Sequence, residues 1–158
     1  VKVVLGLGSN VGDRLAQLRG GLAVLRAELS VTAVSPVYET APVGGPEQGP
    51  YLNAVVLADA DTPVAALAAA HAAEAAAGRT RAVRWGPRTL DVDVLDAGGL
   101  ISDDPVLTLP HPRAGQRAFV LAPWDDVDAA AQLPGHGPVA ALRAALGDAG
   151  VRSLGTVL

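Results

Sequence analysis

The sequence predicts an α+β fold: a ferredoxin-like β-α-β-β-α-β core whose antiparallel sheet carries helices on both faces, three layers in α-β-α order. Three observations predict it. Short apolar stretches with strand character fall at 2–7, 31–39, 51–58 and 89–96. Helical patterns separate the first from the second and the third from the fourth, which gives the β-α-β-β-α-β order. Two further short helical segments, 117–122 and 138–146, follow the core and supply a second covering layer.

Each element has a local reason. Residues 2–7 (Lys-Val-Val-Leu-Gly-Leu) are a short buried strand, and Gly8-Ser9-Asn10-Val11-Gly12 reads as a turn. Asp13 is a helix cap. Behind it Leu15, Leu18, Leu22, Leu25 and Leu29 recur at steps of three and four and form one apolar stripe. Gly20 and Gly21 weaken that helix or mark a close approach. Residues 31–39 alternate and are rich in β-branched side chains, so they read as strand. Residues 41–50 hold three Pro and three Gly and form a loop. Residues 51–58 are strand again. Thr62-Pro63 starts a second helix that ends at Gly78. A basic loop, 79–88, leads into strand 89–96, and Asp96-Ala97-Gly98-Gly99 reads as a hairpin turn. A short strand is expected at 106–109, before Pro110-His111-Pro112, and a last one at 151–158. No internal repeat or dividing linker is visible, so the expectation is one domain over 1–158.

Composition narrows the functions. Half of the residues are hydrophobic, but only five are aromatic. Without cysteine there is no disulfide, thiolate nucleophile or cysteine metal site. No apolar run approaches the roughly 20 residues of a membrane span. The net charge of −4 argues against a general nucleic-acid binder. The expectation is a cytoplasmic monomer acting on small molecules, with no membrane or nucleic-acid partner.

The most informative stretch is Arg84-Trp-Gly-Pro-Arg-Thr-Leu-Asp-Val-Asp93. Asp91 and Asp93 at spacing i, i+2 share one face of a strand, their Cα atoms roughly 7 Å apart. Leu90, Val92 and Val94 then point into a core. Two adjacent carboxylates repel unless a cation lies between them. Mg²⁺ prefers one or two carboxylates together with phosphate oxygens. Arg79, Arg81, Arg84 and Arg88 make up four of the 12 Lys and Arg residues, inside ten positions of an acidic chain. That clustering points to an anionic ligand. Together these features predict metal-dependent chemistry on a polyphosphate.

Other motifs fail. In Gly6-x-Gly8-x-x-x-Gly12 the third glycine comes one position late for a dinucleotide fingerprint. The only lysine is Lys2, so there is no phosphate-loop lysine. No serine stands in a Gly-x-Ser-x-Gly elbow. His71, His111 and His136 lack zinc spacing. His111 stands between two prolines, with Arg113 and Arg117 following, and its ring can meet an anion or be a plain turn residue. Trp85, Tyr51 and Phe119 lie in or beside polar segments, whereas Trp124 and Tyr38 read as packing residues. Asn53 shares a strand face with Tyr51, and its amide can donate and accept along a heterocycle edge. Phe119 reads equally as core or as a stacking partner.

These residues together resemble the 6-hydroxymethyl-7,8-dihydropterin pyrophosphokinase family of folate biosynthesis. The resemblance runs through Gly6–Asn10, Tyr38–Pro42, Tyr51–Asn53, Gly78-Arg79, Arg84–Asp93, Pro110–Pro112 and Arg117–Phe119, over essentially the whole chain. It implies transfer of pyrophosphate from ATP to the pterin hydroxymethyl oxygen, with AMP released. It implies that Asp91 and Asp93 hold two Mg²⁺ ions and that Arg79 and Arg88 stabilise the phosphates. Arg81, Arg84, Trp85, His111 and Arg117 are implied as nucleotide contacts, with Arg81 and Trp85 on a closing loop. Thr40, Pro42, Val43, Tyr51, Asn53, Trp85 and Phe119 are implied as the pterin pocket. Glu74 matches a family acid at the end of the second helix, although by itself it reads as a solvated side chain. The chain departs from the family pattern in two places: the loop between Arg81 and Arg84 is a residue shorter and lacks a lysine, and Ala41 stands where proline is common. No residue stands out as a general base.

Two other readings remain from the residues alone. A non-catalytic ferredoxin-like sensor of nucleotides would use the arginines but not the paired carboxylates. A nucleotidyl cyclase-like Mg²⁺ phosphotransferase would use both, but not Trp85, Tyr51 and Asn53 as a heterocycle pocket.

Overall fold

Strand β1 (Lys2–Ser9) has two unlike faces. Val3, Leu5 and Leu7 point to one side and are buried there. Val4, Gly6 and Gly8 point to the other. The computed structural model describes residues 1–41, 49–78 and 90–158. In it β1 is the central organiser of a sheet built as predicted. β4 (Tyr51–Asp59) pairs antiparallel with one edge of β1, and β5 (Asp91–Ala97) with the other. β2 (Ser30–Val34) and β3 (Pro36–Thr40) both pair with β4, and β8 (Val151–Val157) adds to β3. Read across the sheet the order is β5-β1-β4-β3-β8, so β5 is an edge strand.

The leucine face of β1 is covered by α1 (Arg14–Glu28) and α2 (Pro63–Gly78). Asp13 caps α1 by accepting from the Ala16 amide at 3.1 Å, and Thr62 Oγ1 accepts from the Ala65 amide at 3.1 Å at the start of α2. Leu18, Leu22 and Leu25 of α1 meet Ala66, Ala69, Ala70 and Ala73 of α2 in this core. Alanine on α2 lets the two helices and the sheet lie close. Gly21 does the same on α1, since a Cβ there would stand 2.7 Å from Leu90 Cδ2. Gly20 faces open space. Leu90, Val92 and Val94 join the same core, as their alternation with Asp91 and Asp93 predicts.

The opposite face is covered by α3 (Ala118–Val127) and α4 (Val139–Leu146). Its core gathers Val4, Val55, Leu95, Val120, Leu121, Trp124 and Leu133. The packing reading holds for Trp124 and Tyr38, both buried. Between these helices runs a small hairpin, β6 (Gln132–Leu133) and β7 (Gly137–Pro138), which the sequence reading did not foresee. Among the described residues, no helix is long and apolar enough to cross a membrane.

Three local expectations need correction. The strand expected over 31–39 is two strands broken at Ser35. Its hydroxyl accepts from the Val55 amide at 2.8 Å and its own amide donates to the Val55 carbonyl, so the chain steps without losing contact with β4. The turn at Gly98 and Gly99, both at positive φ, leads into no hairpin strand. The stretch 106–109 is not a strand either, and only Ser102 and Leu109 form an isolated bridge. Asp104 organises that excursion instead, accepting from Val106 N through its side chain and from Thr108 Oγ1 through its carbonyl.

Arg143 of α4 ties the second layer together. Its guanidinium donates to the Ala122 carbonyl, Asp125, Asp126 and Asp148, and to the Tyr38 hydroxyl, which itself donates to Asp126. Burial, then the bond to Asp126, pushes the Tyr38 hydroxyl up, so it stays protonated. The Arg143 guanidinium holds the Asp148 carboxyl below its ordinary range. Arg143→Ala should cost about 2 kcal/mol in urea unfolding, from the lost charge-assisted bonds. A carboxyl with a depressed folded pKa stabilises above its unfolded value and stops doing so as pH falls through the folded one. Part of the deficit of Arg143→Ala should therefore close below about pH 4.

Candidate active site

The sheet register assembles the site. Gly8 of β1 pairs with Asn53 on β4 and with Asp91 on β5; Gly6 pairs with Val55 and with Asp93. All of these positions face the α3 side. Because the two glycines have no side chains, a trough runs over β1 with carboxylates on one bank and the Asn53 amide on the other. Adjacent strands lie about 4.8 Å apart, so the banks are about 10 Å apart. The trough is the floor of a cavity of about 710 Å³.

The cavity brings together most of the described residues expected in the site. Thr40, Tyr51, Asn53, Asp91, Asp93, Arg117 and Phe119 all line it. Gly6, Gly8, Ala41, Val55, Leu95, Arg113 and Val120 line it too and were not expected. Pro42, Val43, Arg79, Arg81, Arg84, Trp85 and Arg88 lie outside the described residues, as do residues 42–48 of the first loop and the whole of the basic loop 79–88.

At the β4 end, Thr40 Oγ1 donates to Asn53 Oδ1 at 2.8 Å, and both side chains are buried. This fixes the amide. Its Nδ2 faces Gly8, where a Cβ would lie only 2.8 Å away, with Tyr51 Cδ1 3.7 Å from the same point. The arrangement presents an amide donor beside an aromatic ring, which suits the edge of a flat heterocycle. Phe119 packs against the second core and also lines the cavity. The Arg117 guanidinium lies over its ring, 5.4 Å from the centroid.

At the β5 end the charges concentrate. Asp91 is partly buried and Asp93 exposed, both on the cavity side, and Arg113 and Arg117 line the same cavity. His111 is outside the lining but beside it. Its amide donates to the Leu95 carbonyl at 2.9 Å, and its Nδ1 accepts from the Arg113 amide at 3.2 Å. That leaves Nε2 to carry the proton of the neutral ring. Burial holds the imidazole below its ordinary range; Asp93 opposes this, and Arg117 and Arg113 add to it. The turn and anion readings of His111 are therefore compatible, since the turn bond orients the ring.

The donor chemistry fits Mg²⁺. Among the described residues no group of three or more His, Asp or Glu is placed to hold a metal. Two carboxylates with open space beside them suit a hard ion whose remaining ligands are phosphate oxygens and water. Glu74 departs from its reading as a solvated side chain: its Oε2 accepts from the Val92 amide at 3.1 Å. Sequence reasoning also missed Gly6 and Gly8 as the trough floor and Arg113 as a lining cation.

Known proteins agree with this architecture. The sequence pattern of the 7,8-dihydro-6-hydroxymethylpterin-pyrophosphokinase (HPPK) family matches residues 4–129. A 2-amino-4-hydroxy-6-hydroxymethyldihydropteridine pyrophosphokinase of Mycobacterium tuberculosis (strain ATCC 25618 / H37Rv) is 49% identical over 143 residues, covering 84% of this chain and 75% of the relative. One of Bacillus subtilis is 44% identical over 126 residues, covering 78% of this chain and 75% of the relative. A crystal structure of wild-type Plasmodium falciparum HPPK-DHPS with pteroate superposes with a TM-score of 0.72 at 11% identity, covering 91% of this chain. That likeness concerns the fold alone, and this chain spans only 44% of the Plasmodium chain. From the family match and the identity to these relatives, the chain belongs to the 7,8-dihydro-6-hydroxymethylpterin-pyrophosphokinase family.

Proposed function

We propose that this chain transfers the β,γ-pyrophosphoryl group of ATP to the hydroxymethyl oxygen of 6-hydroxymethyl-7,8-dihydropterin, a step of folate biosynthesis. The observation that carries the reading is the trough over Gly6 and Gly8. It joins a fixed amide and aromatic pair on β4 to paired carboxylates and two arginines around β5 within one cavity. A heterocycle and a polyphosphate fit these two ends, and the trough lets them meet.

The geometry around the trough supports the following roles. The pterin edge bonds to Asn53 Nδ2, whose orientation Thr40 fixes, while Tyr51 and Phe119 flank the ring. Arg113, Arg117 and the Nε2–H of His111 take phosphate oxygens. Asp91 and Asp93 hold Mg²⁺, expected as two ions, which when bound neutralises the polyphosphate and lowers the cost of deprotonating the acceptor alcohol. The hydroxymethyl oxygen attacks the β-phosphorus, and the bond from that phosphorus to the bridging oxygen of the α-phosphate breaks. The bridging oxygen leaves with AMP, the alcohol proton goes to solvent, and the pterin carries the diphosphate. Such transfer depends on positioning and charge neutralisation more than on covalent help. Arg79, Arg81, Arg84, Arg88 and Trp85 belong to this reading as the arm that closes over the phosphates, and Pro42 and Val43 as further pterin wall.

Three outcomes test the proposal. Incubation with Mg²⁺, ATP and 6-hydroxymethyl-7,8-dihydropterin should yield AMP in amounts equal to pterin diphosphate. ADP as the nucleotide product would mean attack at the γ-phosphorus and a different enzyme. ATP that binds but never turns over would mean a sensor. Asp93→Asn should fold normally, because its strand is anchored by Leu90, Val92 and Val94, and should lose on the order of 10²-fold in kcat. Gly8→Ala places a methyl where Asn53 Nδ2 lies, so it should raise the KM for the pterin about tenfold while leaving the KM for ATP unchanged. An unchanged pterin KM would move the heterocycle away from Asn53.

A further inference from the structure

Helix α2 is mostly alanine, 10 of its 16 residues, and Glu74 is its one acidic residue. That carboxylate reaches the free edge of the sheet. Among the described residues β5 pairs with β1 on one side only, and the Val92 amide points off the outer edge to Glu74 Oε2 at 3.1 Å. Val92 is the residue between Asp91 and Asp93. Its two neighbours face the cavity, while its own side chain is buried in the α1–α2 core. The bond to Glu74 therefore holds the Asp91–Val92 peptide, at the centre of the Asp91–Asp93 segment that carries both aspartates.

We propose that Glu74 is a positioning residue for the carboxylate pair: through the Val92 amide it fixes the strand edge and so the direction of Asp91 and Asp93 toward a divalent cation. This rests on the reading of those two residues as the cation's ligands. An edge strand has no second neighbour to hold its outer amides, and a residue there is free to twist unless a side chain takes the bond. A carboxylate is the strongest acceptor available for that purpose. Being on the far side of the backbone from the cavity, Glu74 acts without touching substrate. Groups that orient metal ligands in this way commonly change metal affinity by 10- to 100-fold when removed.

The test uses the whole chain, with Mn²⁺ as the probe in the presence of α,β-methylene-ATP. Mn²⁺ affinity is read by calorimetry, and the Val92 amide by hydrogen exchange in ¹⁵N-labelled protein. In Glu74→Ala the Val92 amide should exchange faster and Mn²⁺ binding should weaken by about tenfold, with kcat falling and the KM for the pterin unchanged. Glu74→Gln keeps a carbonyl acceptor and should restore both readouts to near wild type. If Glu74→Ala lowers thermal stability, Glu74→Met fills the same space without accepting a hydrogen bond and carries the same comparison. Unchanged Mn²⁺ affinity in Glu74→Ala, with affinity lost in Asp93→Asn, would overturn the positioning role and leave the cation site standing. Unchanged affinity in both variants would remove the cation site itself. Glu74→Gln as weak as Glu74→Ala, with Val92 still protected, would show that charge and not the hydrogen bond matters, which also overturns the proposal.

Discussion

Two missing side chains on strand β1 govern this molecule. β1 has to be apolar on the face toward α1 and α2, and it is, through Val3, Leu5 and Leu7. On its other face Gly6 and Gly8 bring nothing into the space between β4 and β5. A Cβ at Gly8 would meet Asn53 Nδ2 at 2.8 Å and one at Gly6 would meet Leu95 Cδ1 at 3.3 Å. Glycine in a strand interior costs backbone entropy and forgoes packing. Here that loss leaves room for the Asn53 amide beside Gly8 and the Leu95 side chain beside Gly6, between β4 and the aspartates of β5. The strands beside Gly6 and Gly8 must then be held largely from elsewhere, because on this face β1 packs into the core through Val4.

That holding is divided between two layers. Under the sheet, α1 and α2 bury Leu90, Val92 and Val94 and fix the strand that carries the aspartates. Above it, α3 and α4 meet β3 through Tyr38 and the Arg143 cluster, and this layer leaves the trough uncovered beside Phe119 and Val120. The cavity's charge is also local. The chain as a whole carries −4, yet Arg113, Arg117 and His111 stand close to Asp93. The guanidinium groups of Arg113 and Arg117 attract an anion to that end, beside the two aspartates.

The parts of this site legible in the sequence were those set by short-range periodicity. A spacing of two puts Asp91 with Asp93 and Tyr51 with Asn53 whatever the rest of the fold does, and both pairs line the cavity. The β-α-β-β-α-β order, the leucine stripe and the caps at Asp13 and Thr62 were equally local and equally readable. Gly6 and Gly8 were not. Their meaning comes from register with strands some 45 and 85 positions away, and locally they resemble a turn or a failed nucleotide fingerprint. Glu74 fell to the same problem: an acid at a helix end looks solvated until the edge strand it reaches is known. The strand expected at 106–109 failed because apolar character alone does not provide a pairing partner. The basic loop, which carried much of the sequence argument, falls outside the described residues.

The last stretch of the chain lies beyond the family match at 4–129, yet it bears on the pocket. β8 pairs with β3 so that Thr40 stands opposite Val151, and the Ala41 amide donates to the Gly150 carbonyl at 2.7 Å. Arg152 donates to Glu39 on the same pair of strands, and Arg14 of α1 joins Glu39 to the Pro50 carbonyl. Arg152, then Arg14 against the cost of burial, holds the Glu39 carboxyl below its ordinary range. Arg152 is exposed and Arg14 and Glu39 are only partly buried, so these ion pairs contribute little stability. Their position matters more: Ala41 and Pro50 stand on either side of residues 42–48, and each is tied to a different element. The entropy cost of closing a loop depends on how well its ends are placed. The chain on either side of residues 42–48 is thus held in place, beside the cavity that Thr40 and Ala41 line. Asp148 extends this to Arg143, so the cluster that ties α4 to α3 also sets the strand on which Ala41 rests.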